Sequence, residues 1–174
     1  MNTTTTLRRA NPSDAHDLAG LCDVLIDCVE GGASVSFMLP MTREKAAAFW
    51  TKSLADAARG ERAVLVAEDA EGSIVGTVSV VYDLPENQPH RADVAKMLVH
   101  RRARRRGIAA ELLVAAETEA RASGKTLLVL DTVTGGDAER LYARCGWQRC
   151  GVIPNYALFP AGGYCSTTVF YKEL

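Results

Sequence analysis

Apolar positions recur along the chain with two periods, and the switches between them divide it into elements. Leu18, Leu21, Cys22, Leu25 and Ile26 fall three and four residues apart, which predicts a helix from the Asn11-Pro12-Ser13-Asp14 start to about Cys28. Gly31-Gly32-Ala33-Ser34 breaks that pattern, and Val35 to Pro40 forms an apolar connector. Thr42 offers a cap for a second helix ending near Ala58, although Lys45 stands where a capping box would place Glu. Ala63 to Glu68 and Ile74 to Tyr82 read as a hairpin about the polar turn Asp69 to Gly72. Ala92 to Val99 is another strand, and a helix follows that buries Ile108, Leu112, Leu113 and Ala116 and stops at Ser123-Gly124. Thr126 to Asp131 is a buried-looking strand. Gly135-Gly136-Asp137 opens a short helix through Ala138, Leu141 and Tyr142, closed by Gly146. Trp147 to Val152 reads as a strand, Pro154 to Gly163 as a loop, and Tyr164 to Tyr171 as the last strand. With a short opening strand near Thr6 to Ala10, the order is β-α-α-β-β-β-α-β-α-β-β. Strands alternate with helices only in the second half, so the expected fold class is α/β in the α+β sense, with a mixed sheet.

Composition narrows the function classes. A chain of 174 residues fits one domain, 1–174, with a real core. Lys plus Arg number 20 against 21 Asp plus Glu, a balance that argues against a dedicated nucleic-acid binder. No apolar run approaches the length of a membrane span, and Met1 to Thr6 lacks the basic start and apolar core of an export signal. The five cysteines, at 22, 28, 145, 150 and 165, are odd in number and lack paired metal spacing, and His16, His90 and His100 do not complete a zinc set with them. The expectation is a cytoplasmic protein with reduced cysteines and no metal.

One stretch carries chemistry. His100-Arg101-Arg102-Ala103-Arg104-Arg105-Arg106-Gly107-Ile108-Ala109-Ala110 joins a strand to a helix. A helix start presents free N–H groups and a partial positive charge, Gly107 permits close backbone approach, and the small Ala109 and Ala110 keep side chains clear. Arg104, Arg105 and Arg106 add charge-assisted donors for phosphate oxygens. The stretch reads as a pyrophosphate cradle. It is not a Walker loop: Glu119 stands where the first glycine should precede Gly124-Lys125-Thr126, and that tripeptide leads into a strand. It also lacks Gly-x-Gly-x-x-Gly.

Arg104-x-x-Gly107-x-Ala109 resembles the Arg/Gln-x-x-Gly-x-Gly/Ala acetyl-CoA motif of the GNAT acetyltransferase superfamily. Two further segments are similar to that family: Asp93 to Val99 to its fourth strand, and Leu141-Tyr142-Ala143-Arg144-Cys145-Gly146-Trp147 to its Leu-Tyr-x-x-x-Gly-Phe segment. The element order is also that of the GNAT fold. Gly31 to Met38, His90 to Met97 and Leu130-Asp131-Thr132 further resemble the tabtoxin-resistance branch, whose members acetylate a β-lactam amino-acid-like toxin. Glu30 stands where that branch has a histidine, Asp93 stands where it has a glutamate, and the loop from Ala157 to Gly163 differs.

The resemblance implies an N-acetyltransferase that carries acetyl from acetyl-CoA to a small-molecule primary amine by direct attack. Backbone at Met97, Leu98 and Val99 would hold pantetheine and the acetyl oxygen. Asp131 would hold or deprotonate the amine with help from Asp93, and Tyr142 would protonate the thiolate. Gly31, Gly32, Ala33, Ser34 and Phe37, with Tyr156, would form the amine side. Strand alternation would put Asp93, Ala95, Met97 and Val99 on one face. Bland readings stand beside these: Asp131 as a loop start or helix cap, Asp93 as a surface residue, Tyr142 as core, Gly31 to Ser34 as a turn, and Tyr156 as an edge cover. Cys145 has no partnered histidine to make it a nucleophile. Protein or peptide acetylation, a non-catalytic CoA-binding module and a nucleic-acid-binding module are the rival functions, and a homodimer is left open.

Overall fold

The computed structural model describes residues 5–174; residues 1–4, part of the polar Met1 to Thr6 stretch, lie outside the described residues. The elements are β1 (Thr6–Arg9), α1 (Ala15–Glu30), α2 (Arg43–Ala58), β2 (Arg62–Glu68), β3 (Ile74–Val81), β4 (Arg91–Val99), α3 (Ile108–Ala122), β5 (Leu127–Val133), α4 (Asp137–Arg144), β6 (Gln148–Leu158) and β7 (Tyr164–Glu173), with a short 3-10 turn at Arg101–Ala103. This is the order expected from the apolar pattern. The strands form one sheet in the order β1-β2-β3-β4-β5-β7-β6, and β4 with β5 is its parallel pair.

Local chemistry sets the helix ends. The Asp14 side chain accepts from His16 N–H at 2.8 Å to cap α1, and the Thr42 hydroxyl accepts from Lys45 N–H at 3.3 Å to cap α2. Gly32, at φ +92, ends α1 in a conformation that a side chain resists. On one face of the sheet α1 and α2 bury Leu21, Val24, Leu25, Trp50 and Leu54 against Val64, Val66 and Leu98. On the other, α3 and α4 bury Ile108, Leu112, Leu113 and Tyr142 against Val78, Val94, Leu128, Leu130 and Phe170. Both faces are therefore covered over the middle of the sheet, whereas the edge strand β6 leaves Val152, Ile153 and Leu158 exposed.

Two expectations fail, both at bulges. Ser79 pairs with Ala95 but Thr77 pairs with Leu98, so β4 holds one extra residue, and Lys96 takes φ +51 there. The extra residue inverts the alternation. Ala92 and Val94 face α3, then Leu98 faces α1 and α2 while Met97 and Val99 pack on the α3 side. Asp93 and Ala95 thus do not share a face with Met97 and Val99. In the second case, the segment expected to be a loop from Pro154 continues as strand to Leu158. Proline and the left-handed Asn155 are tolerated there because β6 is the sheet edge and its register shifts between Ile153 and Ala157.

Candidate active site

β4 and β5 pair over three residues only, Arg91 with Leu127, Ala92 with Leu128 and Asp93 with Val129. Beyond that point β4 stays with β3, and β5 runs with β7 as far as Val133 opposite Thr167. The two parallel strands therefore part toward their C-terminal ends. The gap opens beside the loop that enters α3 and the loop that enters α4. A parted strand pair leaves backbone donors and acceptors unpaired, ready for an extended ligand.

The loop entering α3 is shaped for an anion. Arg105 at φ +63 and Gly107 at φ +84 alternate with their neighbours, a nest geometry that turns successive N–H groups the same way. No side chain caps α3, and among the described residues the N–H groups of Arg105 to Ala110 donate to no backbone carbonyl. A Cβ placed on Gly107 would meet nothing within 4 Å, so the space in front of the nest is open. Arg101 pairs with Asp27 and Arg102 with Asp69, whereas exposed Arg105 and Arg106 make no ion pair among the described residues. Arg104 folds back, with Nε donating to the Val99 carbonyl at 3.2 Å. An open nest at a helix start, flanked by uncommitted guanidinium groups, fits the pyrophosphate of a nucleotide-containing cosubstrate. Ile108 itself is buried in the core and contributes backbone, not side chain.

Asp131 lies inside β5, six residues before α4, so it neither opens a loop nor caps a helix. Its carboxylate is exposed and accepts from Thr167 Oγ1 at 2.6 Å. Asp131 and Thr167 share the sheet face covered by α1, α2 and the loop between them. Ser34 in that loop donates to the Leu158 carbonyl at 2.7 Å, and Leu39 N–H donates to the Pro160 carbonyl at 3.0 Å. The α1–α2 loop is thereby tied to the β6–β7 hairpin and walls this side of the gap. Cys165 also reaches Ser34, Sγ to Oγ 3.5 Å. Phe37 turns inward onto Phe49, with ring centroids 5.3 Å apart. Gly31 is crowded by Arg101 and Gly32 is open, so these two shape the turn. Exposed Tyr156 stands on the bulged part of β6.

Tyr142 sits on the opposite face. It is buried among Trp147 and Phe170, and burial, then the charge of Asp131, push its phenol well above the usual tyrosine value. The charge of Asp131 thus adds to burial in keeping the Tyr142 phenol neutral. Asp93 is drawn aside by an ion pair with Arg91, which also holds Gln88. Asp131 and the α1–α2 loop lie on one face of the sheet at the parted strands, Met97, Val99 and Tyr142 pack on the other, and Asp93 sits where β4 and β5 still pair. Sequence reasoning missed Thr167, whose role depends on the β5–β7 register, and Lys96, discussed below. A surface hollow of about 500 Å³ lies between α1, the start of β3 and the stretch 100–102, lined by His16, Asp23, Asp27, Ile74, His100 and Arg102, and does not include Asp131, Tyr142, Thr167 or Lys96. Among the described residues no cluster suits a metal ion, and no helix is long and apolar enough to cross a membrane.

The acetyltransferase (GNAT) family matches residues 34–147. An uncharacterized N-acetyltransferase from the hisH-hisA intergenic region of Azospirillum brasilense is 34% identical over 131 residues, 74% of this chain and 76% of that protein. Among solved structures, ribosomal-protein-alanine N-acetyltransferase from Brucella melitensis is 25% identical with TM-score 0.82, covering 97% of this chain and 99% of that one. The yncA protein from Salmonella typhimurium, solved with its cofactor acetyl-CoA, is 20% identical with TM-score 0.80, covering 99% of this chain and 95% of that one.

Proposed function

The chain belongs to the GNAT family of N-acetyltransferases, and from that premise we propose that it acetylates the primary amine of a small molecule in one ternary complex with acetyl-CoA. Acetyl-CoA, the cosubstrate of the family, supplies the activated acyl group as a thioester. The observation that carries the reading is the pair of faces meeting at the parted β4 and β5, with Asp131 held by Thr167 on one and Tyr142 buried on the other.

In this reading the nest from Arg105 to Ala110 holds the pyrophosphate, with Arg105 and Arg106 as counter-charges. Arg104 acts by bracing the end of β4. Backbone from Met97 to Val99 lines the pantetheine path and holds the acetyl oxygen, as preorganised N–H donors do in acyl transfer. Asp131 orients the amine and takes its proton, directly or through water. Tyr142 gives a proton to the departing sulfur. Asp93 assists only through charge, since Arg91 occupies it. Gly31 to Ser34, Phe37 and Tyr156 bound the acceptor.

The tie between the α1–α2 loop and the β6–β7 hairpin favours a compact acceptor over a polypeptide strand lying across the gap. The rival reading, a protein or peptide acceptor, takes its support from the Brucella melitensis neighbour's named activity. Within small molecules we place the chain in the tabtoxin-resistance branch, on Gly31 to Met38, His90 to Met97 and Leu130 to Thr132, with an amino-acid-like antimetabolite as acceptor and the cytoplasm as its place. One domain, 1–174, carries the whole reaction. A homodimer is supported by the apolar side chains exposed on the edge strand, including Val152, Ile153 and Leu158.

CoA release measured across a panel of small amines, amino acids and N-terminal peptides tests the reading. Turnover of small amines above all peptides is expected, and turnover of peptides alone would replace it with the rival.

A further inference from the structure

Lys96 is the residue of the gap that the reaction above leaves without a task. Its backbone sits at φ +51, a region that costs energy for any residue with a Cβ, at the bulge where β4 leaves its regular pairing with β3. Bulges beside active sites re-aim side chains. This one turns Lys96 toward the α1–α2 loop, where Nζ donates to Ser36 Oγ at 3.1 Å and stands 5.4 Å from the centre of the Phe49 ring. Ser36 is itself left-handed, at φ +80, so both ends of this contact are held by unusual backbone.

Neither neighbour is an anion. An ammonium carries three donors, and Ser36 accounts for one. No carboxylate among the described residues pairs with Lys96, although Asp131 is near enough for its charge to act on it. Burial, the larger influence, disfavours the charged form of Lys96; Asp131 favours it, and Arg62 on β2 opposes it. Lys96, bonded to the α1–α2 loop, and Asp131, bonded to Thr167, therefore put a partly desolvated cation and a carboxylate on one face of the sheet without an ion pair between them. An acceptor with an ammonium alone would satisfy Asp131 and be repelled by Lys96. An acceptor with an ammonium and a nearby carboxylate would satisfy both.

We propose that Lys96 is a specificity-determining residue that binds a carboxylate of the acceptor, so that the preferred acceptors are amino-acid-like zwitterions whose amine lies at Asp131. The inference rests on the small-amine reading given above and deepens it. Ser36 and the Phe49 ring hold the ammonium in place before the acceptor arrives. Phe37, stacked edge-on against Phe49, ties that arrangement to the loop that walls the site.

The test compares amino acids with the amines left by removing their carboxylate: L-methionine, L-phenylalanine and L-lysine, each beside its decarboxylated partner, with wild type, Lys96→Met and Lys96→Arg. Lys96→Met should lower kcat/KM for the amino acids about 30-fold or more, mainly through KM, and leave the decarboxylated partners at or above wild type, since it also removes the charge that repels their ammonium. Lys96→Arg, which keeps the charge, should retain most of the preference. Dividing the variant's amino-acid-to-amine ratio by that of wild type removes the difference in amine basicity. Acetyl-CoA affinity by calorimetry, expected unchanged, shows that each variant is folded. An equal ratio in wild type and Lys96→Met overturns the proposal while leaving acetylation of small amines intact. Failure of wild type to acetylate any member of either set, with peptides turned over instead, overturns the small-amine reading itself.

Discussion

Thr167 Oγ1 on β7 donates to Asp131 Oδ2 on β5 at 2.6 Å, across strands in which Asp131 lies opposite Val169 and Thr167 opposite Val133. The same hydroxyl stands 3.0 Å from the Thr132 carbonyl, and with one proton it can serve one acceptor fully at a time. The contact points the carboxylate while leaving its other oxygen for a ligand. An exposed aspartate in the middle of a strand is thereby tied to the neighbouring β7.

The anion nest gives the sharpest binding prediction. Gly107→Glu adds bulk, strain at φ +84 and like charge in the open space before the α3 start. Acetyl-CoA affinity by calorimetry should fall by about 100-fold or more, since a left-handed side chain and an unpaired charge each cost on the order of 1–2 kcal/mol. Gly107→Ala carries the strain alone and should lose roughly tenfold. Unchanged affinity in a folded Gly107→Glu would remove the cradle.

Tyr142→Phe should lower kcat by about 100-fold, the usual scale for a general acid, with acetyl-CoA affinity nearly intact. Burial and the Asp131 charge hold the phenol neutral well past its ordinary titration range. Wild type should therefore show no loss of kcat between pH 8 and about 10 that disappears in Tyr142→Phe. A limb that does disappear would mean that the phenol ionises in that range.

Fold stability should report a different carboxylate. Buried Asp17 is held below the usual aspartate value, first by its hydrogen bonds from Arg8 at 2.6 and 2.7 Å, against desolvation, and then by the Asn11 N–H. A lowered folded pKa means that the stabilisation is complete above the unfolded value near ~3.9 and fades as pH falls through the folded one. Asp17→Asn should cost about 2 kcal/mol at pH 7, discounted because Arg8 is a third exposed, and the cost should shrink below about pH 4. Tm against pH for the two proteins checks it; a gap that stays constant down to pH 2 would contradict the assignment.

Much of this was legible in the sequence because the signals were local. Helical spacing from Leu18 to Ile26 and the Asp14 and Thr42 caps placed α1 and α2 within a few residues. The arginine loop placed the nest because glycine announces a left-handed position. The β4 bulge was illegible for the converse reason: its left-handed residue is Lys96, and nothing in Ala95-Lys96-Met97 departs from ordinary alternation. That single inserted residue moved Met97 and Val99 away from the face of Asp93. Pro154 and Asn155 looked like a strand end, yet an edge strand with a shifted register accommodates both. Thr167 and Asp131 are 36 residues apart, and only the pairing of β5 with β7 makes them neighbours.

In the proposed reaction Asp131 handles the amine. The measurement is kcat/KM against pH, with one good small amine, for wild type, Thr167→Val, Asp93→Asn and Asp131→Asn. Asp131→Asn should lose about 100-fold or more across the profile, and Thr167→Val, which frees the carboxylate without removing it, about three- to tenfold. Asp93→Asn, whose carboxylate is already engaged by Arg91, should stay within about threefold. Near-wild-type activity in Asp131→Asn at every pH would contradict the account and move the base elsewhere in the gap.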